Sequence, residues 1–291
     1  MRKISFLLIC TLFIQVAFAQ KSKIVTVSNL NELISAIGSD KIIKIKSNKI
    51  LFSDLKKIPD NAQVQVEEVF DGLALTINNV KNLRIEGDGS KAVKLITNTR
   101  YAHVLTFKNC ENIEIVNVEA GHGPGKGYCV GGVFAFYKSS KITIQNSLLF
   151  GSGTEGITME DVQDAKFNNI TIQSCTYGIM TLTNTRNIEF TNCHFTDNQE
   201  FDMVNIFNSE NINFISCHFD YNRSGTGAEY DNYALFNAPL GTGFSKNLVI
   251  LKKCVIEDNY SPYFCRSGSS IKMEDCQMDN NLFVKGFNSN K

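Results

Sequence analysis

Beyond its first nineteen residues the sequence lacks any long hydrophobic run. No later stretch approaches the roughly 18 consecutive apolar residues that a membrane-spanning helix needs, so no membrane span is expected. Charge of one sign is missing too, because 29 lysines and arginines face 29 aspartates and glutamates. Arg2 and Lys3 belong to a cleavable leader, and their removal leaves a slight acidic excess, which points away from nucleic acid as a partner. A phosphate-binding loop is absent from the one glycine-rich run: Ala120 stands where the first glycine belongs, and no Ser or Thr follows Lys126. The repeated Gly-Gly-x-Gly-x-Asp pattern of calcium-binding solenoids is also missing.

What is present begins with that leader. Met1, Arg2 and Lys3 precede an apolar run over residues 4–16, and Ala17-Phe18-Ala19 stands before Gln20. This is the pattern of a secretory signal peptide over residues 1–19 with an A-x-A cleavage site, and it predicts an exported chain that is periplasmic, secreted or extracellular. Ile9 before Cys10 argues against a lipoprotein anchor. An oxidising compartment permits disulfides, yet Cys193, Cys217, Cys254 and Cys276 share one inward position of a repeat and read as packed thiols.

That repeat sets the architecture. Asn-Ile-Glu-Phe-Thr-Asn-Cys-His-Phe (187–195), Asn-Ile-Asn-Phe-Ile-Ser-Cys-His-Phe (211–219) and Ser-Ile-Lys-Met-Glu-Asp-Cys-Gln-Met (270–278) vary one theme, with looser copies starting at Leu83, Ile113, Ile142, Ala165 and Val249. Most steps are 22 to 24 residues, and longer ones mark insertions. Within a copy, Ile188, Phe190, Cys193 and Phe195 alternate with Glu189, Thr191 and His194, the period-two signature of strands with one face buried. A second apolar strand precedes each copy, as in Leu105 and Phe107 or Phe134 and Phe136. One such coil cannot bury its own inner face, but parallel stacking makes a continuous core.

The pattern therefore predicts an all-β, single-stranded parallel β-helix of about eight coils, forming one domain over residues 20–291. Its parts are an N-terminal cap and first coils (24–70), regular coils (71–281), and a polar tail (282–291) expected to fray. Asn146, Asn169 and Asn192 fall at one bend, and Asn198, Asn222, Asn259 and Asn281 at another, where side-chain amides can bond along the stack. Leu30, Leu33, Ile34 and Ile37 have helical spacing, with Asn29 or Asn31 as cap, so a helix is expected to plug the first coil.

The capping helix, three-strand coils and asparagine columns resemble the pectate-lyase-like β-helix superfamily over most of residues 24–281. The resemblance implies a right-handed helix. It leaves activity open, since that superfamily includes lyases, hydrolases, epimerases and adhesins.

Insertions on a solenoid usually gather on one functional face. Residues 121–132 hold six glycines around His122, Lys126 and Tyr128, and residues 223–244 bring Glu229, Tyr230, Asp231 and Tyr233. Gly121-His122-Gly123 resembles the Gly-His-Gly of polygalacturonase-type glycosidases, whose paired acids and Arg-Ile-Lys are absent here. Counting back from each copy gives one outward column of His103, Gly132, Glu155, Gly178 and Asp202, and another of Lys108, Tyr137, Glu160, Thr183 and Phe207. The candidate catalytic residues are His122, Glu155, Glu160 and Asp202, and the candidate substrate-binding residues are Lys108, Lys126, Tyr128 and Tyr137.

A glycosidase would pair Glu155 with Asp202, two rungs or about 10 Å apart. A polysaccharide lyase would use His122, Lys126, Tyr128 or Lys108 to neutralise a uronate and take its C5 proton. No cofactor is required by the pattern. Calcium is chemically compatible with Glu155, Glu160 and Asp202, and His194 with His218 could chelate a metal. The expected partner is an extracellular polysaccharide, recognised by this face and, if the chain is an enzyme, cleaved there; a monomer suffices. The alternative is a non-catalytic surface or scaffold β-helix that binds glycan or protein.

Overall fold

The computed structural model describes residues 22–288 except 57–58, 90, 124, 126–129, 152, 226–231 and 240–248. Each regular coil has a first strand, such as Leu105–Lys108, a second, such as Glu111–Val116, and a third, such as Val118–His122. Equivalent strands of successive coils pair in parallel. The first strands run from Leu105–Lys108 through Phe134–Tyr137, Ile157–Glu160 and Met180–Thr183 to Val204–Phe207.

The second strands place Leu83, Ile113, Ile142, Ala165, Ile188, Ile212, Val249 and Ile271 in one unbroken column, which Lys41 and Lys23 extend toward the N-terminus.

Single residues make the corners. Asn117, Asn146, Asn169 and Asn192 stand between second and third strands with φ of 49 to 56°, the left-handed region that a short amide side chain tolerates better than most. Asn109, Asp161, Asn184 and Asn208 do the same between first and second strands. The residue after a corner points inward and faces backbone carbonyls. After the second strand it is often cysteine, and the Cys193, Cys217, Cys254 and Cys276 thiols each donate to a carbonyl of the preceding coil (Phe167, Phe190, Phe214 and Leu251) at 3.2 to 3.4 Å. These cysteines are free thiols. Burial pushes the Cys110 and Cys217 thiols up, which keeps them protonated.

At the end of the third strands of the later coils the inward residue is asparagine, following Cys175 in the coil before. Asn198 donates to Asn222 at 3.0 Å, Asn222 to Asn259 at 3.0 Å and Asn259 to Asn281 at 2.9 Å, forming a ladder in the core. Phenylalanines fill the space between. Phe167, Phe190 and Phe214 stack with ring centroids 4.5 and 4.9 Å apart.

The ends differ from the coils. Helix Leu30–Ala36 packs Leu30, Leu33, Ile34 and Ala36 into the core where the stack begins. Asn29 is its cap: the side chain accepts from Glu32 N–H at 3.0 Å, while the Glu32 carboxylate accepts from Ser28 N–H at 2.7 Å. Strand Val64–Val69 lies antiparallel to Gly72–Asn78, which pairs in parallel with Leu105–Lys108, so this hairpin forms the N-terminal edge of the first-strand sheet. At the other end, the segment expected to fray forms strand Leu282–Asn288, paired with Tyr260–Cys265. The reason is apolar: Phe287 stacks on Phe264 at 4.4 Å and Phe283 meets it edge-on at 5.6 Å. Among the described residues no helix is long and apolar enough to cross a membrane.

Candidate functional site

The hairpin turns the outside of the first strands into a groove of about 470 Å³. Gln65, Glu67 and Thr76 form one side, and Tyr101, His103, Thr106, Lys108, Tyr137 and Glu160 line the rest. Lys108, Tyr137 and Glu160 stand on three consecutive rungs in register, since a parallel ladder places equivalent residues side by side. Burial, reinforced by Glu160 and Glu155, raises the Tyr137 phenol, which keeps it a proton donor.

Tyr101 closes one end of the groove. It is 46% exposed and lies 5.1 Å from the ring of Phe70, itself 87% exposed at the hairpin tip. The Asp71 carboxylate fixes this corner by accepting from the N–H groups of Arg100 at 2.6 Å and Tyr101 at 3.2 Å.

His103 lies over Gly132, whose N–H donates to His103 Nδ1 at 2.9 Å. A side chain at Gly132 would put its Cβ 2.9 Å from that ring nitrogen and 2.8 Å from the Glu155 carbonyl. Glycine is therefore what admits the imidazole. Burial, with His122 nearby, lowers the His103 pKa to about 4. A neutral ring whose Nδ1 accepts carries its proton on Nε2, so His103 offers the groove a hydrogen-bond donor.

The other candidates from the sequence fall in different places. His122 ends a third strand and is only 2% exposed; its Nε2 donates to the Ala102 carbonyl at 2.9 Å, so it supports the groove wall from behind. Burial lowers its pKa too. Glu155 is half-buried on the outer face, accepting from Thr158 Oγ1 at 2.7 Å and Thr181 Oγ1 at 2.6 Å, and burial raises its pKa.

Asp202 shares the Glu155 column but is 6% exposed. Its carboxylate accepts from Ala234 N–H at 2.8 Å, Asn237 Nδ2 at 3.0 Å and Arg266 Nε at 2.9 and 3.0 Å. The two carboxyls are held differently: that of Glu155 rests on threonines, that of Asp202 is locked against Arg266. Lys126, Tyr128, Glu229, Tyr230 and Asp231 lie outside the described residues.

The repeat places His103 in the right column and gives it no role. It misses Tyr101, Gln65 and Glu67, for which the available signal is Asp71-Gly72 between two alternating apolar runs, a hairpin pattern.

Residues 103–239 match the family model for the right-handed beta helix region. No curated protein matches the chain in sequence. Among solved structures, a pectate lyase from a Paenibacillus species superposes with a TM-score of 0.61 at 11% identity, over 90% of this chain and 78% of that one. An alginate lyase from another Paenibacillus strain gives 0.55 at 9% identity, over 91% and 99%. A Geobacillus virus E2 protein gives 0.54 at 14% identity, over 89% and 55%.

Proposed function

Because the chain folds as a right-handed parallel β-helix, we propose that it is exported and recognises an extracellular polysaccharide in the groove along its first-strand face. One observation carries this reading. Tyr101 closes one end of a trough in which Lys108, Tyr137 and Glu160 present an ammonium, a phenol and a carboxylate at the spacing of successive rungs, with Thr106 and His103 on the coil of Lys108. Sugars ask for that combination, since their ring faces stack on aromatic side chains while their hydroxyls need directed hydrogen bonds.

Cleavage is a second reading, supported by the raised pKa of Glu155 and by its electrostatic contact with Tyr137. A carboxyl that holds its proton is suited to protonate a leaving oxygen. Glu160 would then supply the base and Lys108 would neutralise a uronate carboxylate. The locked Asp202 makes the Glu155 and Asp202 hydrolase pair the weaker version of this reading.

Affinity electrophoresis on a panel of acidic and neutral glycans tests recognition. We expect retardation by at least one glycan, weakened about tenfold by Tyr101→Ala or Lys108→Ala. Retention of full affinity in both variants would remove the groove from consideration. Ultraviolet absorbance of an unsaturated uronate, or new reducing ends, lost in Glu155→Gln, would establish cleavage; neither signal across the panel would leave a binder.

A further inference from the structure

The groove leaves unused a second cluster, on the outer face of the third strands. His194 and His218 stand side by side on adjacent rungs, with Asp220 two residues beyond His218 on the same face and Glu257 beside Asp220 on the next rung. We propose that His194, His218 and Asp220, with Glu257 as a fourth donor, form a binding site for a transition-metal dication of the zinc class.

The distances suit such an ion. His194 Nε2 lies 2.9 Å from Asp220 Oδ1, and His218 Nε2 lies 3.8 Å from Asp220 Oδ2 and 2.9 Å from Glu257 Oε1. The donor atoms of His194, His218 and Asp220 all fall within 4.8 Å of one another. A tetrahedral zinc ion with bonds of about 2.0 to 2.1 Å separates its ligand atoms by about 3.3 to 3.4 Å, so the two histidine–Asp220 separations need to change by about half an ångström and the widest separation in the cluster, at most 4.8 Å, by up to about 1.5 Å, within reach of side-chain rotation. The imidazole rings are already stacked at 5.0 Å, with both Nε2 atoms turned toward carboxylates.

Two further features argue for a cation. Asp220, Glu257 and Asp279 occupy one column on three successive rungs, and like charges directly opposite one another in a sheet are destabilising. The Asp220 side chain is only 10% exposed, whereas those of His194 and His218 are 41% and 36% exposed. The carboxylate is thus shielded from solvent while the imidazoles leave an entry path. Two imidazoles with carboxylates select zinc, nickel or copper over calcium and magnesium, which prefer all-oxygen sites. Ligands drawn from three consecutive coils would make the ion a staple across the stack.

Isothermal titration of the untagged chain with Zn²⁺ and with Ca²⁺, followed by Co²⁺ absorption spectroscopy, tests the site. We expect one Zn²⁺ per chain, no comparable Ca²⁺ binding, and a Co²⁺ spectrum without thiolate charge-transfer bands. His218→Gln should lower Zn²⁺ affinity at least about tenfold with an unchanged circular dichroism spectrum. The proposal is overturned by absence of saturable Zn²⁺ binding, by thiolate bands in wild-type protein, or by full affinity in the folded His194→Gln/His218→Gln variant. The spectrum of unaltered protein decides the matter even if that variant does not fold.

Discussion

At the scale of single residues, the site depends on what small side chains permit. Gly132 leaves room for His103, and its N–H fixes which ring nitrogen carries the proton. The depressed His103 pKa has a consequence for stability. Its folded value is about 4 against 6.5 for the free side chain, so the unfolded chain binds more protons between those values. Stability from this group is complete above about pH 6.5 and drains away as pH falls toward 4.

The loss is at most about 3 kcal/mol, at 1.36 kcal/mol for each pKa unit. Urea denaturation at a series of pH values should show the midpoint falling through this window, with a shallower fall in His103→Asn. An equal slope in the variant would assign the dependence elsewhere, with His122, also lowered by burial, the next group to examine.

At the scale of the element, each strand is held by the inward residue just past its corner. The Asn222 amide donates to the Phe195 carbonyl at 2.9 Å and to Asn259 Oδ1, while its own oxygen accepts from the Asn198 backbone and side chain. Replacing it with Ala strands several of these partners in the core, and a buried unsatisfied polar group costs about 1 to 3 kcal/mol. Asn222→Ala is therefore expected to destabilise by at least about 3 kcal/mol in equilibrium unfolding. Asn222→Asp should be similarly harmful, since it keeps the acceptor and lacks the donors. A loss below about 1 kcal/mol would mean that water replaces the ladder.

For the whole molecule, a solenoid contacts only its neighbouring coils, so damage at one end should stay local. Strand Leu282–Asn288 covers Phe264 and Cys265. Deleting residues 282–291 should raise hydrogen exchange over residues 255–265 and leave residues 142–195 protected to the same degree as in the full chain. Uniform loss of protection would instead show the stack unfolding as one cooperative unit.

Much of this architecture is legible in the residues themselves. Alternation in 187–195 and its copies determines which side chains point inward, and equal spacing determines which ones share a column, because a parallel ladder translates sequence period directly into register. Hence the cysteine column, the asparagine ladder, and the run of Lys108, Tyr137 and Glu160 can be read from the order of amino acids alone.

What only the tertiary structure decided lies where the repeat stops. Strand Val64–Val69 has no equivalent in the coils, so nothing in the period places Gln65 and Glu67 beside Lys108 and Tyr137, whereas Thr76 and Asn78 follow the coil register against Thr106 and Lys108. The Asp202 and Arg266 pair spans 64 residues and an interruption of the period, so counting rungs could not foresee that this carboxylate would be locked. Likewise the apolar contacts of Phe283 and Phe287 turn a polar-looking tail into a closing strand. Repetition propagates information along the chain; contacts between unique segments depend on three-dimensional shape, and there the groove acquired its walls.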